Sequence, residues 1–248
     1  MVGTKRTPLR FPVLLFDADG TLLDYHASER QALKATLARD GYTGDAARAA
    51  AIYREVNARV WEAFERGEIT QDRLRILRFE LLKERLNLAS TARELSETYL
   101  EDLREGGHLI PGARELLEEL GNRGHLLALV TNGLKDVQYR RLEKGGILRY
   151  FRHVFVSEEM GVQKPQEEFF RRVLEVLGGP ERKDCLVIGD SLSSDIRGGL
   201  NAGIATCWYS PAGGEPPSDC RPDWRIAALE ELPGLLAQGD ADENEVTQ

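Results

Sequence analysis

At 248 residues, 42% hydrophobic and 30% charged, the chain can hold one large α/β domain with an insertion or two modest domains, and its composition is that of a globular protein. A formal net charge of −8 without a basic tract argues against nucleic-acid backbone binding, and no apolar run is long enough for a membrane span. Of the three cysteines, Cys185 and Cys207 fall in apolar runs and none has metal-ligand spacing, which reads as buried thiols in a reducing cytoplasm.

Residues 1–10 read as a loose leader. Lys5, Arg6 and Arg10 precede an apolar run, but Asp17 breaks it too early for a secretory signal core. That run, Phe11 to Phe16, is a strand apolar on both faces, as in parallel sheets. It ends at Asp17, Asp19, Gly20 and Thr21. From Asp24 to about Gly106 the pattern is helical. Ser28 reads as the N-cap of a helix carrying Ala32, Leu33 and Leu37, which stops at Asp40-Gly41. Ala46 to Arg66 carries Ile52, Val56, Val60 and Phe64 at helical spacing. Thr70 caps a third helix with Leu74, Leu77, Leu81 and Leu82, and Thr91 opens a fourth with Leu95, Tyr99 and Leu103. Four amphipathic helices suffice for a small bundle, and a bundle interrupting an α/β domain reads as an inserted cap.

From Ile110 helices and strands alternate. Strands are predicted at Leu126 to Val130, His153 to Ser157, Cys185 to Ile188 and Ile204 to Tyr209, and a last short strand and helix within Ile226 to Leu236. Helices are predicted over about Pro111 to Arg123, Leu134 to Lys144, Gln166 to Leu177 and Asp195 to Ala202. This grammar predicts right-handed βαβ units and a Rossmann-like parallel sheet. The expected division is a core over 1–23 and 107–238, a four-helix cap over 24–106, and a disordered acidic tail over 239–248.

Three predicted strands end in polar clusters: Asp17 and Asp19, Thr131 and Asn132, Asp190 and Ser191. In an α/β sheet such ends converge on one crevice. Lys164 lies in a loop before a helix. Asp17, Asp19 and Asp190 resemble hard oxygen ligands for Mg²⁺. A carboxylate can attack phosphorus, while a hydroxyl, an amide and an ammonium can hold phosphate oxygens. A second carboxylate two residues on can serve as acid and then base. Read singly, Thr131 is a turn residue, Lys164 a solvated lysine, Asp195 a helix N-terminal acid and Ser191 a helix cap. The four histidines, His26, His108, His125 and His153, form no ligand spacing.

Asp17-Ala18-Asp19-Gly20-Thr21, Thr131-Asn132-Gly133, Lys164-Pro165 and Gly189-Asp190-Ser191-Leu192-Ser193-Ser194-Asp195 match, in order, the four motifs of the haloacid dehalogenase-like hydrolases. The resemblance covers about residues 12 to 237, and the helical insert looks like that family's type-one cap. It implies that Asp17 is the nucleophile and Asp19 the general acid/base. It implies that Asp17, the backbone carbonyl of Asp19, and Asp190 hold Mg²⁺, and that Thr131, Asn132 and Lys164 bind phosphate. Asp195 would orient Lys164 or a metal-bound water, with Ser191 in support.

His153 through Pro165, Gly189 through Trp208, and Trp224 through Leu236 further resemble bacterial pyrimidine nucleoside 5'-monophosphatases of this superfamily. Gly20 and Ser210 depart from that group, which commonly has an aspartate and an asparagine there. The resemblance therefore implies a cytoplasmic Mg²⁺-dependent phosphatase of small phosphorylated metabolites, a pyrimidine nucleotide foremost. Other readings on the same fold are a phosphoglycolate or sugar phosphatase, a phosphomutase and a haloacid dehalogenase. The last lacks the second acid of the first motif, so Asp19 argues against it. Tyr25, Tyr53, Trp61 and Phe64 could stack a base, though helical spacing favours bundle core for most of them. Monomer and homodimer are both open.

Overall fold

The computed structural model describes residues 9–237. The acidic tail expected over 239–248, and all but the end of the expected leader, lie outside the described residues. In chain order the elements are β1 (Val13–Phe16), α1 (Tyr25–Asp40), α2 (Ala46–Glu65), α3 (Gln71–Leu86), α4 (Ala92–Arg104), α5 (Ala113–Arg123), β2 (Leu126–Thr131) and α6 (Lys135–Lys144). Then follow β3 (His153–Val156), α7 (Ser157–Met160), α8 (Glu167–Val176), β4 (Cys185–Gly189), α9 (Arg197–Asn201), β5 (Ala205–Tyr209), β6 (Trp224–Ile226) and α10 (Leu232–Ala237).

All six strands are parallel, in the order β3-β2-β1-β4-β5-β6. This is a doubly wound α/β sheet, and its strand order reverses beside β1. Alternate side chains of the apolar runs serve opposite faces. Leu14, Phe16, Leu129, Leu186 and Ile188 pack with Leu116, Leu117 and Leu120 of α5. Val13, Leu15, Ala128, Val130 and Val187 pack with Phe169, Phe170 and Val173 of α8. Burial on both faces keeps the central strands β1, β2 and β4 apolar up to their carboxyl ends, where the polar side chains begin.

The helices between β1 and α5 pack on one another through Leu33, Leu37, Tyr53, Phe79, Leu82, Leu95, Tyr99 and Leu103. Leu134 and Val137, at the start of α6, join that cluster and seat the helices over the carboxyl end of the sheet. None of the described helices is long and apolar enough to cross a membrane.

Four sequence expectations are corrected. Helix α1 begins at Tyr25, because the Asp24 carboxylate accepts from the Ala27 N–H at 2.8 Å and caps it. Ser28 is not the cap: it is buried in the first turn, its hydroxyl donating to the Gly106 carbonyl. The stretch predicted as one helix from Asp195 opens instead as a π-helical turn over Leu192–Ile196, which continues into α9. The last strand ends rather than begins at Ile226. Arg10 is anchored, not loose: it donates to the Leu235 carbonyl and lies over the Trp224 ring.

Candidate active site

The ends of β1, β2 and β4 form the floor of a cavity of about 200 Å³. Asp17, Asp19, Thr131, Asn132, Gly133, Asp190, Ser191 and Asp195 line it from the sheet side, facing Tyr25, Asn57, Trp61 and Glu65 of α1 and α2. The register explains the convergence. Phe16 pairs with Leu129 and with Ile188, so Asp17 leaves β1 level with the ends of both neighbours. Its own N–H still donates to the Ile188 carbonyl at 2.9 Å.

Lys164 is 1% exposed, and all three of its donors are used inside the protein. Nζ donates to Asp17 Oδ1 at 2.6 Å, to Asp195 Oδ1 at 2.6 Å and to the Val130 carbonyl at 2.8 Å. The lysine stands behind Asp17 and does not line the cavity. Burial alone would lower its pKa, but Asp17 and Asp195 outweigh it and hold the ammonium above its ordinary value. Asn132 grips the backbone of the same residue: its Oδ1 accepts from the Lys164 N–H and its Nδ2 donates to the Lys164 carbonyl. The Asn132 side chain thereby fixes the loop that carries the lysine.

One carboxylate oxygen from each of Asp17, Asp190 and Asp195 lies within 4.8 Å of the others. Three carboxylates face one ammonium there. Burial, then Asp195, push the Asp17 carboxyl well above the usual range, against the pull of Lys164. Burial and Asp195 push Asp190 up to about 7. Thr21 donates to Asp190 Oδ1 at 3.2 Å, and Trp208 Nε1 holds the Asp190 carbonyl at 2.8 Å. Gly20 has φ of +86°, and a β-carbon there would fall 2.7 Å from Asp190 Cγ. A side chain at position 20 would thus require the Asp190 carboxylate to shift and would hold a left-handed backbone conformation that favours glycine. Asp195 is fully buried on the π-helical turn, and its Oδ2 accepts from the Ser191 N–H at 3.1 Å. Ser191 Oγ caps that turn by accepting from the Ser194 N–H.

Thr131 Oγ1 accepts from the Gly133 N–H at 3.0 Å and from Gln138 Nε2 at 2.8 Å. Its hydroxyl proton is therefore available to a ligand oxygen. Asp19 is held by α6: Gln138 Nε2 donates to Oδ2 at 2.7 Å, and Arg141 pairs with Oδ1. Gln138, Arg141 and Glu65 were not singled out in the sequence. Burial raises the pKa of the Glu65 carboxyl, which closes the cavity from the end of α2. Of the aromatic residues noted in α1 and α2, Tyr25 and Trp61 line the cavity, whereas Tyr53 and Phe64 are buried among the helices.

A doubly wound sheet with a carboxylate-rich crevice at its switch point, roofed by helices inserted after the first strand, is the frame of a hydrolase. The chain belongs to the haloacid dehalogenase-like hydrolase family, which it matches over residues 11–203. It is 37% identical to the HAD-hydrolase YfnB of Bacillus subtilis, over 92% of this chain and 96% of that protein. The crystal structure of YfnB bound to magnesium, which reveals interdomain movement, superposes with a TM-score of 0.86 over 92% of this chain and 99% of that one, at 36% identity. The pyrimidine 5'-nucleotidase YjjG of Escherichia coli is 38% identical over 75% of this chain and 81% of its own length. The pyrimidine 5'-nucleotidase PynA of Streptococcus pneumoniae is 34% identical over 90% of this chain and 93% of its own length.

Proposed function

We propose that the chain is a Mg²⁺-dependent phosphatase of small phosphomonoesters, acting through an aspartyl-phosphate, with a nucleoside 5'-monophosphate, pyrimidine in preference, as substrate. The observation that carries this is the Asp17 carboxylate at the cavity floor, with Oδ1 held by Lys164 and Asp190 and Asp195 beside it.

Oδ2 of Asp17 is left for attack on phosphorus. A bond forms between Oδ2 and phosphorus as the ester P–O bond breaks, and Asp19, entering this step as the carboxylic acid with its proton on a lone pair not used by Gln138 or Arg141, gives that proton to the departing oxygen. Asp19 then takes a proton from water, which attacks the phosphoenzyme at phosphorus and frees Asp17. Thr131 donates its hydroxyl proton to a phosphate oxygen. Lys164 stabilises charge from behind Asp17, Asn132 fixes the lysine loop, and Asp195, on the turn capped by Ser191, orients the ammonium. The unbalanced carboxylates and their raised pKa values suit a divalent cation, which Asp17, the Asp19 backbone carbonyl and Asp190 would hold. When bound, it offsets the charge of the carboxylates and of the substrate phosphate. The inserted helices act as a cap over residues 24–106, favouring compact substrates and excluding water. The net charge of −8 disfavours polynucleotides, and the names of YjjG and PynA support the nucleotide.

The test is phosphate release from a panel of nucleotides, sugar phosphates and phosphoglycolate, with Mg²⁺ and after exhaustive chelation. Release should depend on Mg²⁺ and be ranked highest, by kcat/KM, for a pyrimidine nucleoside monophosphate. Activity undiminished by chelation would overturn the mechanism. Sugar phosphates ahead of every nucleotide by about tenfold, a difference of ~1.4 kcal/mol in transition-state binding, would retire the nucleotide alone.

A further inference from the structure

The least expected feature of the site is how Asp19 is held. Gln138 and Arg141 stand one turn apart on α6, both fully buried. Gln138 Nε2 reaches Asp19 Oδ2 at 2.7 Å and Thr131 Oγ1 at 2.8 Å, spending both amide protons. Its Oε1 accepts from Arg141 Nη1 at 3.3 Å. A flipped amide would set two oxygens face to face, so the network fixes the assignment. Arg141 Nη1 pairs with Asp19 Oδ1, and Nε donates to the Gly106 carbonyl at 3.0 Å. Gly106 follows α4, where the chain returns from the inserted helices, and its carbonyl also accepts from Ser28. The guanidinium lies 5.7 Å from the Tyr25 ring centroid, at the start of α1.

Packing alone does not account for this arrangement. A buried cation with one carboxylate partner and an orphaned Nη2 is an expensive way to join two helices. Leu134 and Val137 beside it do so with apolar contacts. Gly133 makes room for the amide, since a β-carbon there would lie 2.6 Å from Gln138 Cδ. Donors on both oxygens fix the plane of the Asp19 carboxylate, and one of those donors is tied to the point where the insert rejoins the sheet.

We propose that Gln138 and Arg141 are positioning residues for Asp19. Gln138 sets the carboxylate against the phosphate-side hydroxyl of Thr131. Arg141 ties it to the base of the inserted helices, so that proton transfer is aligned with the insert in place. The inference rests on the acid/base role of Asp19 proposed above.

The experiment compares kcat/KM for an alkyl ester, a nucleoside 5'-monophosphate, with that for 4-nitrophenyl phosphate, whose leaving group departs without protonation. The variants are Gln138→Met, Arg141→Lys, Arg141→Met and Asp19→Asn, all at saturating Mg²⁺. Gln138→Met and Arg141→Met should lose about 10–100-fold more on the nucleotide than on the aryl ester, the worth of a hydrogen bond to a charged group. Arg141→Lys, which keeps a charged donor, should recover part of the difference. Gln138→Met added to Asp19→Asn should deepen the leaving-group split no further. The aryl rate reports folding and Asp17 chemistry in each variant, and if Arg141→Met does not fold, Gln138→Met and Arg141→Lys decide. Equal losses on both substrates, with Asp19→Asn still showing the split, would overturn the positioning role alone. No split in Asp19→Asn would overturn the acid/base reading and this inference with it.

Discussion

Asp17 occupies a position where a carboxylate is costly: it is buried, beside two other acids, and stabilised by a single ammonium. Replacing it by asparagine keeps the shape, removes the charge and leaves a far poorer nucleophile. Asp17→Asn should lower phosphatase activity by about four powers of ten or more, while thermal unfolding shows the fold intact. A tenth of the wild-type rate would mean that another group attacks. A different residue reports on pH. His125 Nδ1 lies 2.9 Å from the Phe11 carbonyl, and burial, countered in part by that bond, lowers its pKa. Below its ordinary value of about 6.5 the unfolded chain takes up the proton and the folded one resists. Its contribution to stability is thus present at neutral pH and is lost on acidification. His125→Asn should flatten the fall in unfolding free energy from about pH 7 to pH 5 relative to wild type, and parallel curves would rule out the histidine as the cause. At this scale, legibility followed residue type. Paired aspartates after an apolar run have few cheap explanations, so Asp17, Asp19 and Asp190 stood out. Gln138 and Arg141 did not, because glutamine and arginine are ordinary on the polar face of a helix. Only the third dimension turns that face inward.

The helices were readable where side chain and backbone cap each other locally. Thr70 accepts from the Arg73 N–H, and Thr91 and Glu94 form a reciprocal capping box. Thr91→Ala should cost about 1 kcal/mol in chemical denaturation and leave kcat/KM unchanged, since α4 starts away from the cavity. A loss of activity without a loss of stability would contradict that separation. The start of α1 differs from the sequence reading because Asp24, about one turn ahead of Ser28, is equally able to cap. Asp24 and Ser28 can both cap, and what decides is a tertiary bond from Ser28 to Gly106 that no local pattern announces. The turn at Leu192–Ile196 was hidden for a related reason. Its wider winding lets Asp195 reach Lys164, and the side-chain pair that makes it worthwhile is thirty-one residues apart in the chain. Wide turns of this kind gather at functional sites.

At the scale of the whole molecule, two surfaces meet over one cavity. The strand ends supply the carboxylates, hydroxyls and amide of the cavity floor. The inserted helices supply Tyr25, Asn57 and Trp61, which face that floor across the cavity, and Glu65, which lies beside Asp195 and Ser193. The strand grammar made the first surface legible, because parallel topology forces strand ends together. It left the second obscure, because helical spacing marks a face as apolar without saying whether a neighbour or a ligand covers it. Tyr53 and Trp61 lie on the same helix, yet Tyr53 packs against Phe79 and Tyr99 while Trp61 borders the cavity. Asn57 is already committed, its Nδ2 donating to Tyr25 Oη and its Oδ1 accepting from Arg78. Of the two aromatic residues at the cavity, Tyr25 is engaged by Asn57, Tyr99 and Arg141, which leaves Trp61 as the aromatic surface to test against a base. Trp61→Ala should therefore lower kcat/KM for a pyrimidine nucleoside monophosphate by about 10–100-fold, the worth of one base stacked on an aromatic ring, mainly through KM. The same variant should act on ribose 5-phosphate almost as wild type does, because that substrate presents the same phosphoryl group and no base. Equal losses on the two substrates would mean that Trp61 shapes the cavity as a whole, and that the nucleotide preference must be sought elsewhere on the inserted helices.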